Sequence, residues 1–123
     1  EKEAVGKIAG KAASVYAEYM QNDSSMTQIR KYMATDTKFY KNLRTSLVIF
    51  VLEHDKYEIK ELKTSDFHKY SSDLFSCRVT LINELTRKGE KYQDHFDKYV
   101  YLRRDGDTYK VLDMQNTGDK KDE

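Results

Sequence analysis

Two turns in the second half of the chain constrain its fold more than any other feature. Lys88-Gly89 and Asp105-Gly106 each lie between runs in which apolar and polar residues alternate, and the alternation begins near Tyr57. A short turn with glycine between two alternating runs is typical of a β-hairpin. The sequence therefore predicts an antiparallel meander of four strands that begins near Tyr57.

Because the turn of a hairpin fixes its register, the cross-strand partners follow by counting outward from each turn. For one face, the predicted pairs are Phe75 with Leu102, Cys77 with Val100, Val79 with Lys98, Leu81 with Phe96, Asn83 with Asp94 and Leu85 with Tyr92, and the last strand adds Tyr109 beside Leu102, Val111 beside Val100, Asp113 beside Lys98 and Gln115 beside Phe96. Nearly all aliphatic residues of these strands fall on this face, which predicts that it packs under helices.

This predicted core face has a polar end. Lys98 falls opposite Asp113, and Asn83 with Asp94 follows one step further along. A buried lysine without a partner is costly, so we predict that Lys98 pairs with Asp113. Two interpretations of the four residues stay open: they line a ligand pocket between sheet and helices, or the sheet curls outward and water covers them.

The other face of the predicted sheet is too apolar for ordinary solvent-exposed surface. We predict that it is an association surface for a protein partner or a second copy of the chain, with solvated tyrosines as the alternative. Arg78 falls opposite the ring of Tyr99, as in a cation–π pair. The candidate interface residues are Ile82, Tyr99, Tyr101, Leu112, Met114 and Arg78.

The first half of the chain has the pattern of helices. Apolar residues recur at intervals of three and four from Ala4 to Met20, which indicates one long amphipathic helix. Ser25 and Gln28 have the spacing of a capping box that opens a second, short helix. A third helix is predicted from about residue 37 to 47, and the apolar run at 47–52 is interpreted as helix passing into extended chain. Helices followed by a meander predict an α+β domain over residues 1–117, with 118–123 as a flexible tail.

Composition excludes several functional classes. The 22 Lys and Arg residues nearly balance the 21 Asp and Glu residues, and they form no basic stripe, so a nucleic-acid partner is not expected. The single cysteine excludes an internal disulfide and a thiolate metal cage. No apolar run approaches the roughly 18 residues of a membrane span. Since the chain begins at Glu1 without a Met, we expect a processed form whose leader or anchor was removed.

The sequence contains no recognisable catalytic or metal-binding motif. Ser/His/Asp arrangements, phosphate-binding glycine loops and zinc-ligand spacings do not occur. Strand alternation places His95 and Asp97 on one face and Asp94 on the other, and two ligands do not make a metal site. Cys77 falls on the core face, where a buried thiol behaves as a small, inert hydrophobe. No cofactor is expected.

The element order and three stretches of the sequence resemble the nuclear transport factor 2-like superfamily, a cone-shaped fold also grouped as cystatin-like. The stretches are YEIKELKTSDF, SSDLFSCRVTLINEL and YQDHFDKYVYLRRDGDTYKVLDM, and the resemblance covers about residues 4 to 117. The chain closely resembles extracellular single-domain members from Gram-positive bacteria, which often follow an N-terminal anchor. The resemblance implies a cone fold and an extracellular or cell-envelope location.

That superfamily also includes isomerases and dehydratases, which place a Tyr, Asp or His in the pocket between helix and sheet. Tyr16, Asp36 and Asp94 are the residues that such a role would draw on, but no spacing selects them, so no catalytic assignment is carried over. The sequence predicts a non-catalytic interaction or assembly module of the bacterial cell envelope. The alternative is a small-molecule-binding cone, either a ligand binder or an isomerase or dehydratase-type enzyme.

Overall fold

Helices at the N-terminus precede an antiparallel sheet, which confirms the predicted α+β class. The computed structural model describes residues 2–22, 26–43 and 56–117. Its elements are helix α1 at Lys2–Asn22, helix α2 at Met26–Tyr32, and strands β1 at Lys56–Lys69, β2 at Leu74–Arg87, β3 at Glu90–Asp105 and β4 at Thr108–Asn116. The strands follow the order β1-β2-β3-β4 in a curved sheet. Residues 38–43 are also helical, while the predicted capping serine, the apolar run at 47–52 and the tail lie outside the described residues.

Helix α1 lies close against the sheet because its inner stripe is made of small side chains. Val5, Ala9, Ala12 and Ala13 are completely buried, and α1 packs against all four strands. Alanine favours the helix and lets its axis approach the sheet closely. The buried stripe therefore forms one wall of the core, as the three-and-four spacing predicts.

The segment after α2 fastens the helical layer to the last strand. Met33 forms a parallel bridge with Val111, and the Ala34 amide donates to the Val111 carbonyl at 2.8 Å. The Thr37 hydroxyl accepts a hydrogen bond from the Tyr40 amide at 3.1 Å, which caps the helical residues that follow. These contacts set where the helices sit along β4.

The hairpin between β2 and β3 has the register predicted from its turn. All six predicted pairs are present, from Phe75 with Leu102 to Leu85 with Tyr92. Lys88 and Gly89 both have positive φ, of 52° and 82°, as a type I′ turn requires. The sequence thus fixes this hairpin locally.

The register between β3 and β4 differs from the prediction in two ways. Asp105 pairs with Thr108, so Gly106, with φ of 63°, is the first of two turn residues, as in a type II′ turn, and not the second. This change moves the partners by two positions and leaves the faces of β4 unaltered. The predicted pairs of Tyr109 with Leu102 and of Val111 with Val100 are therefore wrong, although Tyr109 and Val111 do face the core.

A β-bulge at Leu112 has the larger effect, because a shift of one residue exchanges the two faces of a strand. Leu102 pairs with Val111, but the neighbouring Tyr101 pairs with Asp113, so Leu112 is the additional residue. Beyond the bulge, Met114 pairs with Val100 and is 7% exposed. The prediction that Met114 lies on the open face is therefore wrong, as is the predicted pairing of Gln115 with Phe96.

The bulge predicts a difference between two neighbouring truncations. Met114→Ala is expected to lower the free energy of unfolding by about 2 to 3 kcal/mol, because it leaves a cavity in the core. Leu112→Ala is the matched control and is expected to lower it by about 1 kcal/mol, since this side chain is already partly exposed. Urea unfolding of both variants checks the order, and a larger loss for Leu112→Ala would contradict the register.

Candidate functional site: the open face of the sheet

The sheet has one covered face and one accessible face. Along β2, Cys77, Val79 and Leu81 are buried under the helices, whereas the alternating Arg78, Thr80 and Ile82 are partly exposed. We call the side that carries the second set the open face. Its residues on β3 are the odd-numbered ones from His95 to Tyr101, since these pair with the even-numbered residues of β2.

A row of aromatic rings crosses one end of the open face. The ring of Tyr70 lies 6.1 Å from that of His68 and 6.4 Å from that of Tyr101, and both pairs are stacked. The Tyr70 hydroxyl forms a 2.9 Å hydrogen bond with the hydroxyl of Ser76, which is buried beneath it. Burial, followed by the neighbouring charges, raises the pKa of Tyr101. The row therefore holds its rings in fixed positions while leaving Tyr70 54% exposed.

Sequence analysis missed Tyr70 and His68 as members of this face. A register shift between Ser65 and His68, where Asp66 has a φ of 50°, places His68 opposite Ser76. Tyr70 follows directly after β1, where strand alternation no longer assigns a side. In the sequence, Tyr70 stands next to the polar residues 71–73, which indicates a turn. This pattern does not show on which face of the sheet the Tyr70 side chain lies.

An ion pair occupies the centre of the open face. The Arg78 guanidinium donates two hydrogen bonds to the Asp97 carboxylate, at 2.9 and 2.7 Å. Both side chains are about three quarters buried, with 26% and 24% of their surface exposed. Arg78 lies opposite Tyr99 in the register as predicted, but the structure adds Asp97 as the group that fixes its guanidinium.

The remaining interface candidates have mixed positions. Tyr99, Tyr101 and Ile82 lie on the open face and are partly exposed, and Leu112 is partly exposed at the bulge. Met114 leaves the set because it lies in the core. The open face thus keeps five of the six predicted residues and gains the Tyr70 row.

The four pocket candidates do not come together. The predicted pairing of Lys98 with Asp113 is wrong, because the bulge places them on opposite faces. Lys98 instead pairs with Asn116 and donates a 2.9 Å hydrogen bond to its side-chain oxygen. Asp113 lies beside Tyr101 and accepts hydrogen bonds at 2.9 Å from the Met114 amide and the Gln115 side chain.

Asn83 is the polar residue that remains in the core. It is completely buried, and within residues 2–22, 26–43 and 56–117 neither atom of its amide has a hydrogen-bond partner. Asp94 is its partner in the strand register, as predicted. A buried amide without partners lowers the stability of a fold unless a water molecule or a ligand satisfies it.

Two of the residues that an enzyme of the resembling superfamily would draw on have different surroundings. Tyr16 packs against Phe39 and Phe96, and burial raises the pKa of its hydroxyl. Asp36 is exposed, and hydrogen bonds from Arg103 hold the pKa of its carboxyl below its usual value. Phe39 follows Asp36 by three residues, so the segment that packs against Tyr16 also carries Asp36.

Cys77 is buried, as predicted, and only 2% of its surface is exposed. Burial raises the pKa of its thiol to about 11. The thiolate, which is the reactive form, is therefore scarce at neutral pH. In the part of the chain that the structure describes, no three His, Cys, Asp or Glu side chains are grouped as metal ligands are.

We expect the thiol of Cys77 to be inert in the native protein. A bulky maleimide at pH 8 is expected to label the folded chain at least about a hundredfold more slowly than the chain in urea, because both burial and the raised pKa oppose the reaction. Mass spectrometry over time measures the two rates. Equal rates would show that Cys77 is accessible and would contradict its place in the core.

Comparison with known proteins finds a likeness of fold. No family model matches the chain, and no curated protein matches it. Among solved structures, the chain is similar to the intermembrane space region of the chloroplast protein ARC6, with a TM-score of 0.62 and 10% sequence identity over 95% of this chain and 98% of that one. Within the described residues, no helix combines the length and apolarity that crossing a membrane requires. At this identity, the similarity to the ARC6 region establishes a shared fold alone.

Proposed function

We propose that this domain is a non-catalytic interaction or assembly module of the bacterial cell envelope, and that it binds a second copy of itself or another protein through the open face. The observation that carries the proposal is the set of partly exposed tyrosines on the face opposite the helices. Tyr70, Tyr99 and Tyr101 are rigid, amphipathic side chains of the kind that dominate interface energetics when they become buried.

The charges of the open face favour the same role. Desolvating an unpaired charge is expensive, and a partner that covers a charged surface must supply counter-charges. Arg78 and Asp97 already satisfy each other through two hydrogen bonds. A partner is thus able to cover the centre of this face without leaving either charge unpaired.

The size of the open face suits a stable interface. Four strands span about 19 Å, and ten residues along each strand span about 33 Å, which gives a flat area of about 600 Å². A standard interface buries about 800 Å² on each partner, and the relief of the side chains adds to the flat area. A two-fold dimer fits this geometry, because one sheet face that meets its own copy is self-complementary.

The cone-shaped nuclear transport factor 2-like fold and the location outside the membrane are parts of this proposal. The fold is supported by the packing of N-terminal helices on one side of an antiparallel sheet. The location is supported by the resemblance to extracellular members from Gram-positive bacteria. It also agrees with the likeness of fold to a region that belongs to an intermembrane space.

A second candidate function is the binding of a small polar molecule inside the cone. Asn83 favours it, since this buried amide has no hydrogen-bond partner in the described residues. A bound ligand would satisfy the amide, with Lys98 as another candidate contact on the same face. Asp113 is not among them, because it lies on the open face.

Replacing Tyr99 and Tyr101 with Ser tests the proposed interface. We expect the double variant to keep its fold, because neither residue belongs to the core. If the wild type is a dimer, the double variant is expected to weaken it by on the order of 2 kcal/mol for each tyrosine. Sedimentation velocity at micromolar concentrations measures the dissociation constant. Tyr92→Ser is the matched control, because Tyr92 is 48% exposed and lies outside the aromatic row.

Two results would contradict the proposal for the open face. One is an unfolded double variant, because the two tyrosines would then belong to the core. The other is a change for Tyr92→Ser as large as the change for the double variant. A monomeric wild type would exclude the homodimer. The proposal would then require a foreign protein that binds the wild type and is released by the double variant.

Asn83→Leu tests whether the buried amide is satisfied, on which the second candidate function depends. If the amide is unsatisfied, the variant is expected to raise the free energy of unfolding by about 1 kcal/mol, because the desolvation penalty of the amide is removed. Asn83→Asp is the control and is expected to destabilise the fold strongly, since it buries a charge. Urea unfolding measures both. A loss of stability for Asn83→Leu would instead support a bound water or ligand at this position.

A further inference from the structure

A second surface lies on the other side of the sheet, in a groove between α1 and the edge strand β1. The groove has a volume of about 790 Å³, within the range of ligand-binding clefts. It is separate from the open face, because Leu62 and Thr64 on its β1 side pair with the core residues Leu81 and Val79. The proposed function therefore does not account for it.

Two glycines of α1 leave methyl-sized gaps beneath the side chains of β1 beside the groove. Gly6 and Gly10 lie one turn apart on α1, and a Cβ atom added to them would meet Thr64 Oγ1 and Leu62 Cδ2, each at 3.4 Å. Alanine would stabilise the helix by about 1 kcal/mol at each position. The neighbouring buried stripe of α1 has alanine at residues 9, 12 and 13. At residues 6 and 10, glycine leaves unoccupied the space that an alanine methyl group would take.

The floor of the groove is apolar and accessible. Leu62 is 46% exposed although it faces the core side of the sheet. Val15 and Tyr32, both half buried, extend the apolar lining. An apolar side chain of a partner that enters the groove would cover Leu62 and displace water from it.

The rim of the groove on α1 carries an excess of positive charge. Lys2, Lys7 and Lys11 are exposed there, against Glu3 alone, and no ion pair joins these lysines within the described residues. On β1 the lysine charges are neutralised by ion pairs. Lys60 Nζ lies 3.2 Å from Glu58 Oε1, and Lys63 Nζ lies 3.1 Å from Glu61 Oε2. Lys7 and Lys11 are one helical turn apart, a spacing at which like charges repel. A carboxylate between them would relieve that repulsion.

Among the strands that the structure describes, β1 is at the edge of the sheet, and its backbone is poorly suited to pairing with a further strand. Register shifts interrupt it between Ile59 and Glu61 and between Ser65 and His68, and charged side chains follow one another along it. Bulges and charges are the devices by which sheet edges avoid pairing with further strands. A bound segment therefore uses the groove itself and not the backbone of β1.

We propose that the groove binds an extended acidic segment of a partner protein. Its carboxylates lie against Lys7 and Lys11, and an apolar side chain lies on the exposed part of Leu62. The α1 lining from Lys2 to Val15 is about 20 Å long, which matches about six residues of extended chain.

Fluorescence anisotropy with a labelled octapeptide of alternating glutamate and leucine tests this proposal. Saturable binding that weakens as salt is raised is expected, and the corresponding lysine–leucine peptide is expected not to bind. Lys7→Glu with Lys11→Glu is expected to weaken binding about tenfold or more, because two attractions become repulsions. Lys38→Glu with Lys91→Glu is the matched control: it changes the net charge equally at exposed positions outside the groove, and its affinity is expected to be unchanged.

Leu62→Ser removes the apolar contact without altering charge, and it is expected to weaken binding as well. The Tyr99 and Tyr101 double variant is expected to bind the peptide normally, so this result is independent of the open face. Equal affinity of both peptides, equal losses for the two lysine double variants, or no saturable binding would overturn the proposal. A change in the sedimentation of the Lys7 and Lys11 variant, together with no binding of the peptide, would also overturn the proposal. A second copy of the chain would then occupy the groove.

Discussion

The bulge at Leu112 decides which residues of the last strand meet the helices. Without it, Asp113 would face the core beside Val100, and Met114 would face solvent. Burying a carboxylate without a partner costs several kcal/mol in desolvation, whereas burying Met114 contributes about 2 to 3 kcal/mol. Both terms favour the bulged strand, in which Met114 is 7% exposed and Asp113 lies on the open face. The face available to a partner and the contents of the core follow from this one additional residue.

The contrast between the two hairpins explains how much of the fold was predictable from sequence. The pairing of β2 with β3 follows from the Lys88-Gly89 turn, because both residues adopt the positive φ that a type I′ turn needs. Asp105-Gly106 has the same pattern, yet its glycine takes the first turn position. Neither this choice nor the bulge is decided by neighbouring residues, since both depend on packing against the helices. For the same reason the aromatic row around Tyr70 and the unpartnered amide of Asn83 were not predictable from local pattern.

The two proposed surfaces lie on opposite sides of one sheet. The open face offers tyrosines and a satisfied ion pair, whereas the groove offers an apolar floor beneath a lysine-rich rim. Their chemistry differs, so each would select its own class of partner. A small domain with two such surfaces would be suited to joining components of an assembly.

Cross-strand nuclear Overhauser effects between β3 and β4 test the central claim most directly, because they depend on backbone distances of a few ångströms. The bulged register predicts contacts of residue 101 with 113, of 100 with 114 and of 98 with 116. A contact of residue 100 with 113 would instead mean that the strand continues without a bulge. Asp113 would then face the core and Met114 the solvent, and the account of both faces would be wrong.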